Sequence, residues 1–113
     1  MSDTNMLTLD HRDEMLICAI DHESFDHTST EQFRMEATDA TADMSQPALL
    51  LDMNRVKFVP SLMIGALVEI ATRLKQSDKK VVLVGLAKDI EDTMKITGIL
   101  QLFDVKGSLE ECL

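Results

Sequence analysis

The stretch ALLLDMNRVKFVPSLMIGALVEI, Ala48 to Ile70, decides the fold. Its opening run, Ala48 to Met53, is apolar except for Asp52 and is flanked by Pro47 and Asn54. Such a run reads as a central strand, covered on both faces or covered on one face with a neighbour strand on each side. Polar residues return at Asn54 and Arg55, after which Val56, Phe58 and Val59 are expected to turn inward. Beyond Pro60 a helix is predicted from about Ser61 to Gln76, with Met63, Leu67, Ile70 and Leu74 as its inner stripe. Glu69, Thr72, Arg73 and Lys75 fall on its wet side.

The start of that helix is the unusual part. Leu62, Met63 and Ile64 occupy the first turn, where polar caps and exposed residues usually sit. Successive helix residues point about 100° apart, so three in a row cannot all face one core. Met63 belongs to the inner stripe. Part of Leu62 or Ile64 is then either exposed or covered by the loop that holds Asp26. The first turn is a wide core contact or a dry docking patch for a partner, and the residues alone leave both open.

Working outward, Leu7 and Leu9 alternate with Thr8 and Asp10, and MLICAI (Met15–Ile20) is a more fully buried run, with HRDE as the hairpin turn between them. A polar loop follows. Thr28 with Glu31, or Ser29 with Gln32, can form a capping box, and Phe33, Ala37, Ala40 and Met44 share one helical face before SQP ends it. VVLVGL (Val81–Leu86) is the next buried strand after the SDKK turn. Ile90, Thr93, Met94 and Thr97 line one face of a further helix, and Gly98 stops it. LFDV is short and strand-like, and SLEECL can make a last helical turn. The order is β-β-α-β-α-β-α-β-α. It predicts one α/β domain over residues 1–113, with a mixed sheet that is parallel in its centre and has right-handed crossovers.

The chain has 113 residues, 45% of them hydrophobic, which suits one domain with one core. Four Phe, no Trp or Tyr and eight Met leave much of the gap filling to methionine. A net charge of −9 disfavours nucleic-acid backbones and anionic membranes as partners. No apolar run is long enough for a membrane span, and MSDTNML lacks a basic region and a signal-like core, so a cytoplasmic location is the expectation. Cys18 and Cys112 make no disulfide framework, and both read as reduced and structural. His11, His22 and His27 with two distant cysteines have no metal-ligand spacing, so neither a metal nor a cofactor is expected. His27 reads as a surface loop residue, and Glu91 and Asp92 as a solvated helix face.

Catalytic signatures are missing. No glycine-rich phosphate loop follows a strand, and the chain has four glycines in all. Ser61 lacks the strained glycine turn and the oxyanion donors that acyl transfer needs. The chain reads as a non-enzyme.

Four segments together resemble the STAS family, the sulfate transporter and anti-sigma-factor antagonist domains, and most of all its stand-alone bacterial antagonists. LLLDMNRVKFVPSLMIGALV is similar to the family's strand, loop and phosphorylation helix, LDLSxVxFxDSSGLxxLL. KVVLVGL is similar to its next strand, MKITGILQLFDVKGSLEECL to its ending, LxxTGLxxLFxIFxSxEEAL, and FDHTSTEQFR to LDHxTAxELR. Their order and spacing cover the chain from about Leu7 to Leu113. The resemblance implies a four- or five-stranded sheet with helices mainly on one face. It also implies a regulatory protein-binding function in bacterial signal transduction and transcription regulation, exercised on an anti-sigma factor with serine-kinase activity. In the family the kinase phosphorylates a serine of DSSG and binding is lost.

Position by position, Val56 and Phe58 match VxF, Pro60 stands where the family has Asp, and Ser61 matches the first Ser. Leu62 takes the place of the second Ser, the usual acceptor, and Met63 that of Gly. Asp26 matches an acidic loop residue near the phosphorylation site. The resemblance thus implies a partner surface of Asp26, Pro60, Ser61, Leu62, Met63 and Ile64, without the standard switch. Ser61 is expected to cap the helix, the alternative being that it takes the phosphate itself. Two other roles follow from the same resemblance: a scaffold or oligomeric subunit, homodimers included, of a stress-sensing or lipid-transport complex, and a small-molecule sensor with its ligand near Asp26.

Overall fold

The computed structural model describes residues 5–112. Alternating side chains on Leu7–His11 (β1) and the buried run Met15–Ile20 (β2) form an antiparallel hairpin, with Leu7 opposite Ile20 and His11 opposite Leu16. The Arg12 N–H donates to the Met15 carbonyl at 2.9 Å and closes the turn. β2 then pairs in parallel with Ala48–Asp52 (β3), β3 with Lys80–Val84 (β4), and β4 with the three-residue Asp104–Lys106 (β5). The sheet order is β1-β2-β3-β4-β5, so each crossover returns to the adjacent position.

Those crossovers are the helices His27–Thr41 (α1), Ser61–Lys75 (α2) and Lys88–Ile96 (α3). All three pack on one face. Leu16, Cys18 and Ile20 of β2, Leu49 and Leu51 of β3, and Val81 and Leu83 of β4 share a core with Phe33 of α1, Met63, Leu67, Ile70 and Leu74 of α2, and Ile90 and Met94 of α3. The predicted stripe of α2 is the observed one. On the other face Ile17, Leu50, Val82 and Val84 form a smaller cluster, against which Leu109 and Cys112 of the closing 3-10 turn pack. The central run Leu49–Leu51 is therefore buried on both faces, as its unbroken apolarity demands.

Details of the α1 prediction change. The helix ends at Thr41, so Met44 lies beyond it, although Met44 still packs on the core. The buried face is Thr30, Phe33, Ala37 and Thr41, with Ala40 half-buried. Arg34 pairs with Glu69 of α2, and the Arg73 guanidinium donates to the Thr41 hydroxyl at 2.8 Å, which ties the two helices together. Cys18 is a free thiol whose burial pushes its pKa up to about 12, and Cys112 is free and half-buried. Among the described residues no helix is long and apolar enough to cross a membrane. The expected domain bounds, 1–113, include residues 1–4 and 113, which lie outside the described residues.

Candidate functional site

At the carboxyl ends of β2 and β3 two loops meet beside the start of α2. The Glu23 carbonyl accepts from the Lys57 N–H at 2.7 Å and from the Phe58 N–H at 3.1 Å, and the Phe25 N–H donates to the Phe58 carbonyl at 3.1 Å. Ser24 and Phe58 thus form an isolated parallel bridge. An exposed ion pair, Arg55 to Asp21 at 3.0 Å, spans the same two loops.

The β3–α2 loop is anchored below as well. The Met53 N–H donates to the Val84 carbonyl at 2.8 Å, and the Asp52 carboxylate accepts from both the backbone and the side chain of Asn54, at 3.0 and 2.7 Å. Gly85 lets Asn54 lie there: its φ is +73°, and a Cβ at that position would fall 2.3 Å from the Asn54 Oδ1. Any larger residue would both strain the backbone and displace Asn54.

This anchoring turns Phe58 outward. Its side chain is 57% exposed, whereas Val56 is buried and Val59 half-buried. The inward placement expected for Phe58 is therefore overturned. Strand alternation does not apply here, because a single bridge holds the segment and no ladder continues it.

The first turn of α2 divides cleanly. Met63 is fully buried, so it supports the surface from beneath and offers a partner nothing. Leu62 is 37% exposed, Ile64 and Pro60 are half-buried, and Ser61 is exposed. The cap expected of Ser61 is also overturned. Pro60 holds the N-cap position, where its carbonyl accepts from the Met63 and Ile64 N–H groups at 2.9 and 3.2 Å, and no side chain caps the helix. Ser61 is one residue too late to reach back over the first turn.

Asp26 is the residue that does cap a helix, and it replaces both boxes expected from Thr28 or Ser29. Its carboxylate accepts from the Ser29 N–H and hydroxyl, each at 2.9 Å, and the Ser29 Oγ accepts from the Asp26 N–H at 2.8 Å. The Ser29 backbone N–H, and then its hydroxyl, hold the Asp26 carboxyl below the usual carboxylate range. A D-x-x-S pattern carries this signal, because aspartate caps as well as serine does. His27 is the first residue of α1 and is exposed.

One contribution to the site comes from α3, which the sequence did not indicate. A shallow groove of about 220 Å³ runs between Phe58, Val59 and Ile64 on one side and Asp89, Ile90 and Thr93 on the other. Lys57 also lines it. Further along α3, Asp92 is engaged by Lys88 at 2.9 Å. The surface as a whole presents two exposed apolar side chains, Phe58 and Leu62, with Asp89 lining the groove beside Phe58. No group of three or more metal-ligating side chains is assembled among the described residues.

A five-stranded mixed sheet with its helices on one face and two hydrogen-bonded loops before its central helix defines a class of small α/β domain. The chain belongs to the STAS domain family, which matches residues 6–112. It is similar to stand-alone domains named as anti-sigma factor antagonists. It is 28% identical, over 92% of its own length and 88% of the relative's, to BtrV of Bordetella bronchiseptica, whose name places it among the anti-sigma factor antagonists. Its fold is similar to that of a STAS-domain protein from Planctomyces limnophilus, with a TM-score of 0.83 at 19% identity, covering 94% of this chain and 92% of the other. It is similar also to the phosphorylated form of the Bacillus cell fate determinant SpoIIAA, with a TM-score of 0.72 at 16% identity, covering 94% and 95%.

Proposed function

We propose that this protein is a non-catalytic antagonist that binds an anti-sigma factor of the serine-kinase type through the surface around the start of α2. The observation that carries the proposal is the exposed Phe58 ring, held on a doubly anchored loop four residues before the exposed Leu62. Rigid aromatic anchors next to aliphatic ones make effective binding centres, since little conformational freedom is lost when they dock. Asp26, Pro60, Ser61, Leu62 and Ile64 complete the proposed surface, and Met63 is withdrawn from it.

Leu62 occupies the family's acceptor position in this proposal and has no hydroxyl. Binding is then constitutive with respect to that switch, or is controlled elsewhere. Ser61 carries the only hydroxyl of the first turn, and it is free of capping duty. A phosphate there would lie one residue, about 100° around the helix, from the usual position. The proposed kinase partner, which holds its substrate hydroxyl in a fixed geometry, does not use it.

Isothermal titration of the wild-type protein against a kinase-type anti-sigma factor from the same cell tests the proposal. Binding that is insensitive to ATP and Mg²⁺ supports it, as does Leu62→Ser making binding sensitive to them. No binding to any such partner contradicts it.

A further inference from the structure

The molecule has a second surface, which shares no residue with the first. β5 is one of the two edges of the sheet, β1 being the other. The Gly85 N–H donates to the Lys106 carbonyl at 3.3 Å, so Lys106 turns its backbone toward β4. Alternate residues of a strand face opposite edges, and Val105 therefore turns its N–H and carbonyl outward. A hollow of about 540 Å³ lies along this edge, lined by Lys95, Leu100, Gln101, Phe103, Val105 and Lys106. Ile96 and Leu102, 85% and 40% exposed, adjoin these residues in the chain.

We infer that this edge pairs with the same edge of a second copy of the chain, antiparallel, about a two-fold axis through Val105. The charge pattern of the strand selects that occupant. In an antiparallel pairing centred on Val105, each Asp104 lies directly opposite Lys106 of the other copy. Asp104 and Lys106 point to one face of the sheet, and Val105 meets its own copy on the other. Opposite charges across a ladder stabilise it and like charges oppose it. A two-fold interface must be self-complementary, and Asp-Val-Lys satisfies this about its central residue.

The rest of the surface argues the same way. A net charge of −9 makes two copies repel over most approaches. At this edge Lys80, 3.3 Å from Asp104, and Lys95 stand beside the strand, with Glu111 close to Gly107. The outward Val105 groups form two hydrogen bonds across the axis, and the Gly107 N–H can add a bond to the Phe103 carbonyl of the other copy. Three residues per strand make a small contact, so the dimer is weak and its fraction rises between about 10 μM and about 1 mM. The two copies then form one ten-stranded sheet, with both α2 surfaces still free.

Sedimentation equilibrium of the full chain over that concentration range tests the inference. The apparent mass should rise from 12.6 kDa toward twice that value. Lys106→Glu alone and Asp104→Lys alone should each weaken association at least about tenfold, because each sets like charges opposite one another. An equimolar mixture of the two should restore it, because the edge that carries two carboxylates then meets the edge that carries two ammonium groups. Circular dichroism verifies that the variants fold. In the wild type, independently of any variant, the amide resonances of Val105 and Gly107 should shift with concentration. A wild type that stays monomeric throughout, a dimer indifferent to Lys106→Glu, variants that do not complement each other, or Val105 and Gly107 amides that stay put would each overturn it.

Discussion

Phe25 and Phe58 are joined by a backbone hydrogen bond of 3.1 Å, yet the Phe25 side chain is 2% exposed and that of Phe58 is 57% exposed. The Phe25 ring stacks edge-on against His22 and Phe33, at centroid distances of 4.9 and 6.1 Å, and so fixes the β2–α1 loop to the core. The Phe58 backbone leans on that loop, and its ring is presented to solvent. One phenylalanine is the foundation and the other is the exposed tip.

Phe58→Ala should therefore separate binding from stability. A ring this exposed contributes little to folding, so unfolding in urea should change by no more than about 0.5 kcal/mol. Affinity for the proposed anti-sigma partner should fall by about 30-fold or more, as expected of an aromatic anchor at the centre of an interface. Parallel urea melts and titration calorimetry measure both quantities on one preparation.

Ser61→Ala should leave stability within about 0.5 kcal/mol of wild type. A lost side-chain cap would cost about 1 kcal/mol, but Pro60 holds the cap position and the Ser61 hydroxyl makes no capping bond. Thermal and urea melts decide between the two values.

Met63→Ala should destabilise by about 2–5 kcal/mol, through lost burial and the cavity left behind. Met63 is fully buried against the same core as Leu67 and Leu49. The urea midpoint should fall with an unchanged slope. Partner affinity, measured where the variant is still folded, should change far less than for Phe58→Ala.

Asp26 predicts a pH dependence. The Ser29 N–H and hydroxyl lower the pKa of its carboxyl from the ordinary 3.8. An acid with a lowered folded pKa binds fewer protons when folded than when unfolded. Its contribution is complete above about pH 4 and is lost as pH falls through the folded pKa. Asparagine keeps a capping oxygen but cannot titrate. The stability advantage of wild type over Asp26→Asn should shrink as urea melts are taken from about pH 6 to about pH 3.

Much of the fold was legible because burial leaves a period in the sequence. The run Leu49–Leu51, buried on both faces, and the stripe Met63, Leu67, Ile70 and Leu74 follow directly from it. The site was legible only in part. Phe58 misleads because its direction is set by a contact with Glu23 and Phe25, more than thirty residues earlier, and not by its neighbours in the chain. Pro60 occupies the N-cap, the position expected of Ser61. Its place there moves Ser61 into the helix and takes the capping role from it. At α1 the sequence suggested two capping pairs, Thr28 with Glu31 and Ser29 with Gln32, and the Asp26–Ser29 pair was missed. Asp26 wins because starting there lets Phe25 pack into the core while Thr30 and Phe33 face the sheet. Asp89 and Ile90 join the groove only through the packing of α3 beside α2, which no local pattern reports.

The most direct test is the affinity of the wild-type protein for the proposed kinase-type anti-sigma factor, measured before and after incubation of the pair with ATP and Mg²⁺, with intact mass read on the same sample. Affinity should be unchanged and no phosphate should be added. A single phosphate on Ser61 accompanied by loss of binding would contradict the proposal.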